Sequence, residues 1–123
     1  MMVEIESQLN SILAELKESG DVENSFIIRR DGLIIASDLQ EKEYKNISSL
    51  ISALLSTSDS TSMELKRGVM QELVVESEKG KIVLVSAGKL AVLVSLVKKE
   101  GNLGFVLVSM ERAAKKIESL IVS

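Results

Sequence analysis

The longest stretch of regular helical periodicity lies at residues 44–57, and it carries no charge between Asn46 and Ser58. Its large apolar residues recur at spacings of three and four, which places them on one face of an α-helix. They are Tyr44, Ile47, Leu50, Ile51, Leu54 and Leu55. We expect this arc to cover a sheet, and we expect the helix to continue to about Met63.

The other side of this helix carries small neutral residues where Lys and Glu normally face solvent. Its serines are Ser48, Ser49, Ser52 and Ser56, with Ala53 and Thr57 between them. Small side chains let another backbone come close, so one interpretation is that this flank meets a partner subunit. The other is a plain amphipathic surface helix that tolerates serine, a mediocre helix former. The stretch by itself leaves both interpretations open.

The chain before this helix predicts a helix and then a β-hairpin. A narrow apolar stripe at helical spacing comes first, and Ser19 and Gly20 end it. The stripe consists of Ile5, Leu9, Ile12, Leu13 and Leu16. Residues 25–30 and 33–37 then flank Asp31-Gly32, a dipeptide that readily adopts the positive φ angles of a tight hairpin turn.

The chain after the central helix predicts three strands and a last helix. Segments 69–77, 81–87 and 89–97 are rich in Val, Leu and Ile and are separated by glycine-containing turns. Uninterrupted apolar runs at 82–85 and 90–94 indicate strands covered on both faces. Polar residues interrupt 69–77, which is typical of an edge strand.

The last helix is predicted to begin near Asn102, a favoured N-cap residue. One apolar stripe runs along it and consists of Val106, Met110, Ala113, Ala114, Ile117, Leu120 and Ile121. Helix, hairpin, helix, three strands and helix make an α+β order, α-β-β-α-β-β-β-α, in which helices on both faces of one sheet bury every stripe. We predict a single domain over residues 1–123.

Composition narrows the possible functions. The chain has no Cys and no His, so thiolate and imidazole metal sites and the usual general base are excluded. We predict no enzymatic activity, no cofactor and no metal. The net charge of −3 is spread along the chain, and the aromatic content is 2%, so we expect no binding to nucleic acid.

Targeting signals and membrane segments are not expected either. The first residues are acidic and periodic, unlike a secretory signal or a transit peptide. No apolar run approaches the roughly 20 residues of a bilayer helix. We therefore predict a cytoplasmic protein without direct insertion into a membrane.

Three short motifs are candidates for chemical sites. The Gly101–Gly104 segment lacks the spacing of a phosphate-binding loop and is interpreted as a turn before a helix. Carboxylate pairs at Glu41 with Glu43 and at Glu76 with Glu78 are interpreted as solvated element ends. Arg29 and Arg30 could meet an acidic partner, but solvated strand-end arginines are the more common case.

The ordered set of motifs resembles the roadblock/dynein light chain family. Within that family it is most similar to the single-domain prokaryotic type, which resembles small-GTPase regulators. The motifs are RRDGLIIAS in the hairpin, GVMQELVVESEKGKIVLVSAG in the strands and GNLG before the last helix. The resemblance spans residues 5–121. It implies a five-stranded antiparallel sheet in the order 2-1-5-4-3, and a homodimer in which third strands pair edge to edge and central helices lie side by side.

The resemblance also implies a function and its residues. Dimer-interface residues would be Ser48, Ser49, Ser52, Ser56, Gln71, Leu73 and Val75. Lys45, Asp59 and Thr61 would border the face that docks a Ras-like small GTPase, although solvated helix ends also explain these three. The family's central helix is usually richer in alanine, so the serines put the register of the helix pair in question.

Two alternatives remain open. The protein could be a structural adaptor of the dynein-light-chain type, without nucleotide dependence. It could also be a small-molecule sensor, for which Ser86 and Ser95 inside the strands are the best polar candidates.

Overall fold

The computed structural model describes residues 2–121, with side chains from residue 4 onward. The elements in chain order are α1 (Met2–Glu18), β1 (Val22–Arg29), β2 (Ile34–Ser37), α2 (Glu41–Tyr44), α3 (Ile47–Glu64), β3 (Glu72–Ser77), β4 (Gly80–Ala87), β5 (Ala91–Lys98) and α4 (Leu103–Ile121). The strands form one antiparallel sheet in the order β2-β1-β5-β4-β3. The predicted α+β class and strand order are confirmed.

The hairpin turn lies where it was predicted. Gly32 has a φ of +102°, and its N–H donates to the Arg29 carbonyl at 2.9 Å. A side chain is rarely tolerated at such a φ, which explains the glycine. β1 begins at Val22, three residues before the predicted start, because Val22 already pairs with Val97 of β5.

The sheet carries helices on both faces, as predicted. α1 and α4 cover one face, where Leu13, Ile27, Leu93 and Ile117 are almost completely buried. α3 covers the other face, over Phe26, Leu84 and Val94 among others. Burying each large apolar side chain contributes roughly 1.5–3 kcal/mol, so these two layers hold the helices to the sheet.

The central helix differs from its prediction at two positions. Tyr44 lies in the short helix α2, and α3 begins after it at Ile47 and extends to Glu64. Leu50, predicted on the buried arc, is 69% exposed. The arc is narrower than the spacing suggested: Ile51 and Leu55 are buried, whereas Ile47 and Leu54 pack against the same core and are only partly buried.

Strand and helix starts show smaller differences. β3 and β5 begin at Glu72 and Ala91, later than predicted, since residues 69–71 are irregular and residues 88–90 lie in a turn. Asn102 caps α4 as predicted, because its Oδ1 accepts a hydrogen bond from the Phe105 N–H at 3.0 Å. The glycine-rich segment is thus a turn and a helix start.

Candidate interaction surface

One flank of α3 packs against the β1–β2 turn of its own chain. The Ser52 hydroxyl donates to the Arg30 carbonyl at 3.4 Å. A Cβ built on Gly32 would lie 3.4 Å from the Ser52 Cβ and 3.9 Å from the Ser48 carbonyl oxygen. Small residues are therefore needed on this flank so that the hairpin can approach closely. This contact within the chain explains them without a partner subunit.

Of the remaining predicted serines, Ser49 and Ser56 lie on the outward side of α3, and Ser48 lies one turn before Ser52 on the hairpin flank. Ser49 is exposed and donates to the Asn46 carbonyl at 3.2 Å, and Ser56 is also exposed. Ser48 is half-buried and donates to the Lys45 carbonyl at 3.3 Å. The hydroxyls of Ser48 and Ser49 satisfy the backbone one turn earlier, which limits the polar cost of serine in a helix. Contact of the serines with a partner helix stays a prediction.

On the face of the sheet that α3 covers, one apolar row is partly open to solvent. One row of side chains under α3 runs across four strands and consists of Leu73, Leu84, Val94 and Phe26. All of them except Leu73 of the edge strand are fully buried. The next row across the same strands is half-buried, and it consists of Val75, Ile82 and Leu96. Leu54 of α3 packs against the core of this face, and the exposed Leu50 lies one turn earlier on the same side of the helix, opposite Ser52.

This row ends at β3, the edge strand of the sheet. β3 pairs with β4 from Glu72↔Val85 to Ser77↔Gly80, and its other edge is open for pairing with a further strand. Leu73 and Val75 point to the α3 face, so they lie where an added strand would extend the open row. Gln71 is exposed just before β3, and its carbonyl accepts the Ser86 N–H at 2.8 Å.

A half-buried ion pair fixes α3 to the sheet beside this surface. Arg30 Nη1 lies 2.5 Å from Asp59 Oδ2, and the two side chains are 19% and 24% exposed. Arg30 Nη2 also donates to Ser86 Oγ at 2.8 Å and to the Met70 carbonyl at 3.4 Å. Asp59 Oδ1 accepts the Met70 N–H at 3.0 Å. The pair joins the end of β1, α3, β4 and the segment before β3.

The two arginines that the sequence placed together have different roles. Arg29 pairs with Asp31 at the surface, and its hydrogen bond holds the pKa of Asp31 below its ordinary value. Arg30 points into the molecule, so the prediction of two solvated arginines is wrong for Arg30. The two-residue alternation of β1, in which Phe26 and Ile28 precede Arg30 on one face, is the signal that could have found it.

The three predicted partner-binding residues are not equivalent. Lys45 and Thr61 are exposed. Asp59 has its two carboxylate oxygens engaged by Arg30 and Met70, which gives it a structural role. Lys45 and Thr61 are separated by 16 positions, about 24 Å along a helix, so they lie near opposite ends of α3.

A cleft of about 770 Å³ lies behind the ion pair, between the start of β3 and α4. Ser86, one of the two sensor candidates, lines this cleft beside Arg30. Ser95, the other, is fully buried and shares a 2.9 Å hydrogen bond with Ser25 inside the core. The structure therefore separates the two serines, and Ser86 is the one that a ligand in the cleft could reach.

Two carboxyl groups from different elements meet on the wall of this cleft. Glu72 of β3 shares a hydrogen bond with Glu111 of α4, and this bond raises the pKa of Glu72, with further contributions from partial burial and charge repulsion. In the folded protein the pair is most favourable when one carboxyl keeps its proton.

This pair predicts a stability that falls as pH rises. The ordinary pKa of a glutamate is near 4.5, and that of Glu72 is raised in the folded protein. At pH values between these two, the folded state binds more protons than the unfolded state, so the free energy of unfolding decreases as pH rises. Glu72→Gln, whose amide can donate to Glu111 at every pH, should flatten this slope and raise stability at neutral pH. Urea unfolding between pH 4.5 and about pH 7.5 measures both effects.

The matched control is Glu76→Gln, an exposed residue on the same face of the same strand. It should leave the slope as it is in the unmodified protein. An equal flattening by both substitutions would contradict the assignment to the Glu72–Glu111 pair.

Features for spanning a membrane or holding a metal are not found among the described residues. Within residues 2–121, no helix combines the length and apolar content that crossing a bilayer requires. The same residues contain no group of three or more acidic side chains placed to hold a metal ion. The pairs Glu41 with Glu43 and Glu76 with Glu78 are exposed, in agreement with their interpretation as solvated ends.

Comparison with protein families identifies the domain. The model of the Roadblock/LC7 domain matches residues 9–97. The chain belongs to the Roadblock/LC7 domain family. The resemblance inferred from the sequence motifs is confirmed, and the family is generally a noncatalytic adaptor fold.

Similar proteins come from archaea and bacteria. The uncharacterised protein MJ0714 of Methanocaldococcus jannaschii is 32% identical over 94% of this chain and 98% of its own length. The gliding protein MglB of Thermus thermophilus has a TM-score of 0.85 at 19% identity, over 94% of this chain and 90% of that one. A Roadblock/LC7 domain from Streptomyces avermitilis also has a TM-score of 0.85, at 18% identity over 91% and 96% of the two chains. At these identities the two structures show a shared fold.

Proposed function

We propose that this Roadblock/LC7 protein is a noncatalytic homodimeric module that binds and regulates or scaffolds a Ras-like small GTPase. The observation that carries the dimer is the half-open apolar row of Val75, Ile82 and Leu96 beside the unpaired edge of β3. Exposed apolar surface next to a free strand edge is typical of a protein–protein interface. The GTPase partner is inferred from the resemblance to regulators within the family.

In the proposed dimer, β3 pairs with β3 of a second copy across a twofold axis. The two sheets then become one, and the flank of α3 that carries Leu50 and Leu54 faces the same flank of the second α3. This arrangement would bury the open row and the exposed leucine together. Ser49 and Ser56, which lie on the outward side, would border the pair of helices, and Leu73, Val75 and Gln71 would lie at the joined edge.

The proposed docking face is the outward side of the two α3 helices, between Lys45 and Thr61. This side carries small neutral residues, and Ala53 is exposed near its middle. Two rigid helices on a continuous sheet offer a flat platform against which mobile switch loops of a GTPase can be held. The protein would then act by positioning the GTPase's own groups.

The test mixes the purified protein with small GTPases from the same organism, each loaded with GDP or with a nonhydrolysable GTP analogue. Complex formation is measured by calorimetry, and GTP turnover is measured in parallel. We expect binding to one nucleotide state, and we expect Ala53→Arg to weaken it by at least about tenfold, since a long charged side chain then stands on the docking face.

Ala14→Arg is the matched control, because Ala14 is also an exposed helical alanine but lies on α1 across the sheet. Equal binding of both nucleotide states would favour a structural adaptor over a GTPase regulator. No complex with any GTPase would overturn the proposal.

A second candidate function, small-molecule sensing, is favoured by the cleft that Arg30 and Ser86 line. A ligand there would raise the melting temperature of the protein. A metabolite screen by thermal shift, repeated with Ser86→Ala, separates this function from GTPase binding.

A further inference from the structure

The outward face of α4 combines exposed apolar side chains with cations. Phe105 is 52% exposed and Val108 is 48% exposed, whereas the other phenylalanine of the chain, Phe26, is fully buried. Helical spacing places Arg112, Lys115 and Lys116 on the same side, one and two turns further along, and all three are exposed. A large exposed aromatic on a helix rimmed by charge is typical of an interaction surface.

The neighbouring helix α1 carries the opposite charge on its outward face. Glu4, Glu15 and Glu18 are exposed there. Glu15 Oε2 lies 3.9 Å from Lys116 Nζ of α4, and both side chains are more than 60% exposed. This contact places Glu15 of the acidic strip of α1 (Glu4, Glu15 and Glu18) beside Lys116 of the basic strip of α4 (Arg112, Lys115 and Lys116).

We propose that this surface, the α1–α4 face, binds a second copy of the same chain around a twofold axis. Rotation by half a turn places the basic strip of each α4 over the acidic strip of the other α1, so one patch is complementary to itself. Phe105 and Val108 of both copies become buried at the contact. The proposal does not depend on GTPase binding.

An anionic membrane fits this face less well than a second copy does. It would attract the cations of α4 but would also meet the carboxylates of α1 beside them, and the attraction of about 1 kcal/mol per cation would be offset. Two helices of 17 and 19 residues are each about 26–29 Å long and about 10 Å wide. Side by side they present a flat footprint of roughly 550 Å², the same order as the roughly 800 Å² of accessible surface that each partner buries in a standard interface.

The α1–α4 face lies across the sheet from α3, so it can pair while β3 is also paired. A chain that uses both contacts would assemble into four copies or more. The two contacts can be separated by substitutions that affect one at a time.

The test measures mass in solution by light scattering at several micromolar concentrations. Phe105→Glu should lower the mass about twofold at equal concentration, because it places a carboxylate where the exposed phenylalanine near the start of α4 would be buried in the α1–α4 contact. Leu90→Glu is the matched control, since Leu90 is similarly exposed, at 55%, but belongs to the β4–β5 turn and not to α1 or α4. It should leave the mass unchanged.

Charge reversal tests the complementarity directly. Arg112→Glu with Lys116→Glu should also lower the mass, and adding Glu15→Lys with Glu18→Lys to the same chain should restore it. High salt should weaken the assembly, since exposed charges are screened. Circular dichroism on each variant checks that the fold is retained.

Several outcomes would overturn the inference. One is a mass that is insensitive to Phe105→Glu, and another is a charge-swapped chain that fails to reassemble although it is folded. A third concerns vesicles that contain phosphatidylglycerol. If the protein co-sediments with them, and Phe105→Glu abolishes this binding without changing the mass in solution, the face binds a membrane. Loss of nucleotide-dependent GTPase binding alone would leave this inference intact.

Discussion

Val75→Arg is expected to abolish the edge-to-edge pairing of β3 and to halve the mass of the assembly in solution. In the proposed dimer, Val75 lies on the joined edge among apolar side chains, so an arginine there would bury a charge without a partner. We expect a loss of affinity of at least about a hundredfold, equivalent to roughly 3 kcal/mol. Light scattering over a dilution series gives the mass and the dissociation constant.

Val69→Arg is the matched control for this prediction. Val69 is 49% exposed and lies in the segment before β3, outside the ladder. The same substitution there should leave the mass unchanged. An unaltered mass for Val75→Arg would remove the basis of the proposed dimer, and combining it with Phe105→Glu shows which contact holds any remaining pair together.

Arg30→Ala is expected to cause the largest loss of stability among surface-accessible substitutions. It leaves the Asp59 carboxylate half-buried without its cation and removes the hydrogen bonds to Ser86 and to the Met70 carbonyl. Breaking a buried pair costs about 3–5 kcal/mol, and the residual exposure of these side chains reduces this to roughly 2–4 kcal/mol. For a chain of 123 residues, this corresponds to a decrease in Tm of roughly 8–15 °C.

The neighbouring Arg29→Ala is the control, because it removes the same type of side chain from a pair that is exposed to solvent. Its Tm should stay within error of the unmodified protein. A cycle of Arg30→Ala, Asp59→Ala and the double variant gives the coupling energy between the two residues. Additive losses in the cycle would mean that the two residues act independently, contrary to the geometry.

The elements that the sequence predicted well are those specified by neighbouring residues. Asp31-Gly32 defines a turn through the backbone freedom of a single glycine, and Asn102 caps α4 through a contact three residues long. Apolar runs without alternation placed β4 and β5 inside the sheet because both faces of those strands are covered. The strand order itself came from the resemblance to the family.

The surface was predicted less well, because its residues depend on contacts that are distant in the chain. No local pattern indicates that Ser52 of α3 contacts the β1–β2 hairpin 22 residues away in sequence, and contact of the serines with a partner helix stays a prediction. Leu50 was assigned to the core because helical spacing gives the direction of a side chain but not the width of the sheet beneath it. Arg30 could have been placed by strand alternation, but its partner Asp59 could not.

By itself, the sequence determined the three long helices, the hairpin, the edge character of β3 and the lack of imidazole and thiol chemistry, because these follow from local periodicity and composition. Only the tertiary structure decided which side of α3 lies against its own hairpin, which apolar row stays partly open, and which of two adjacent arginines is buried. The physical reason is that these features depend on the crossing of α3 over the strands, and that crossing is set by packing between residues far apart in the chain.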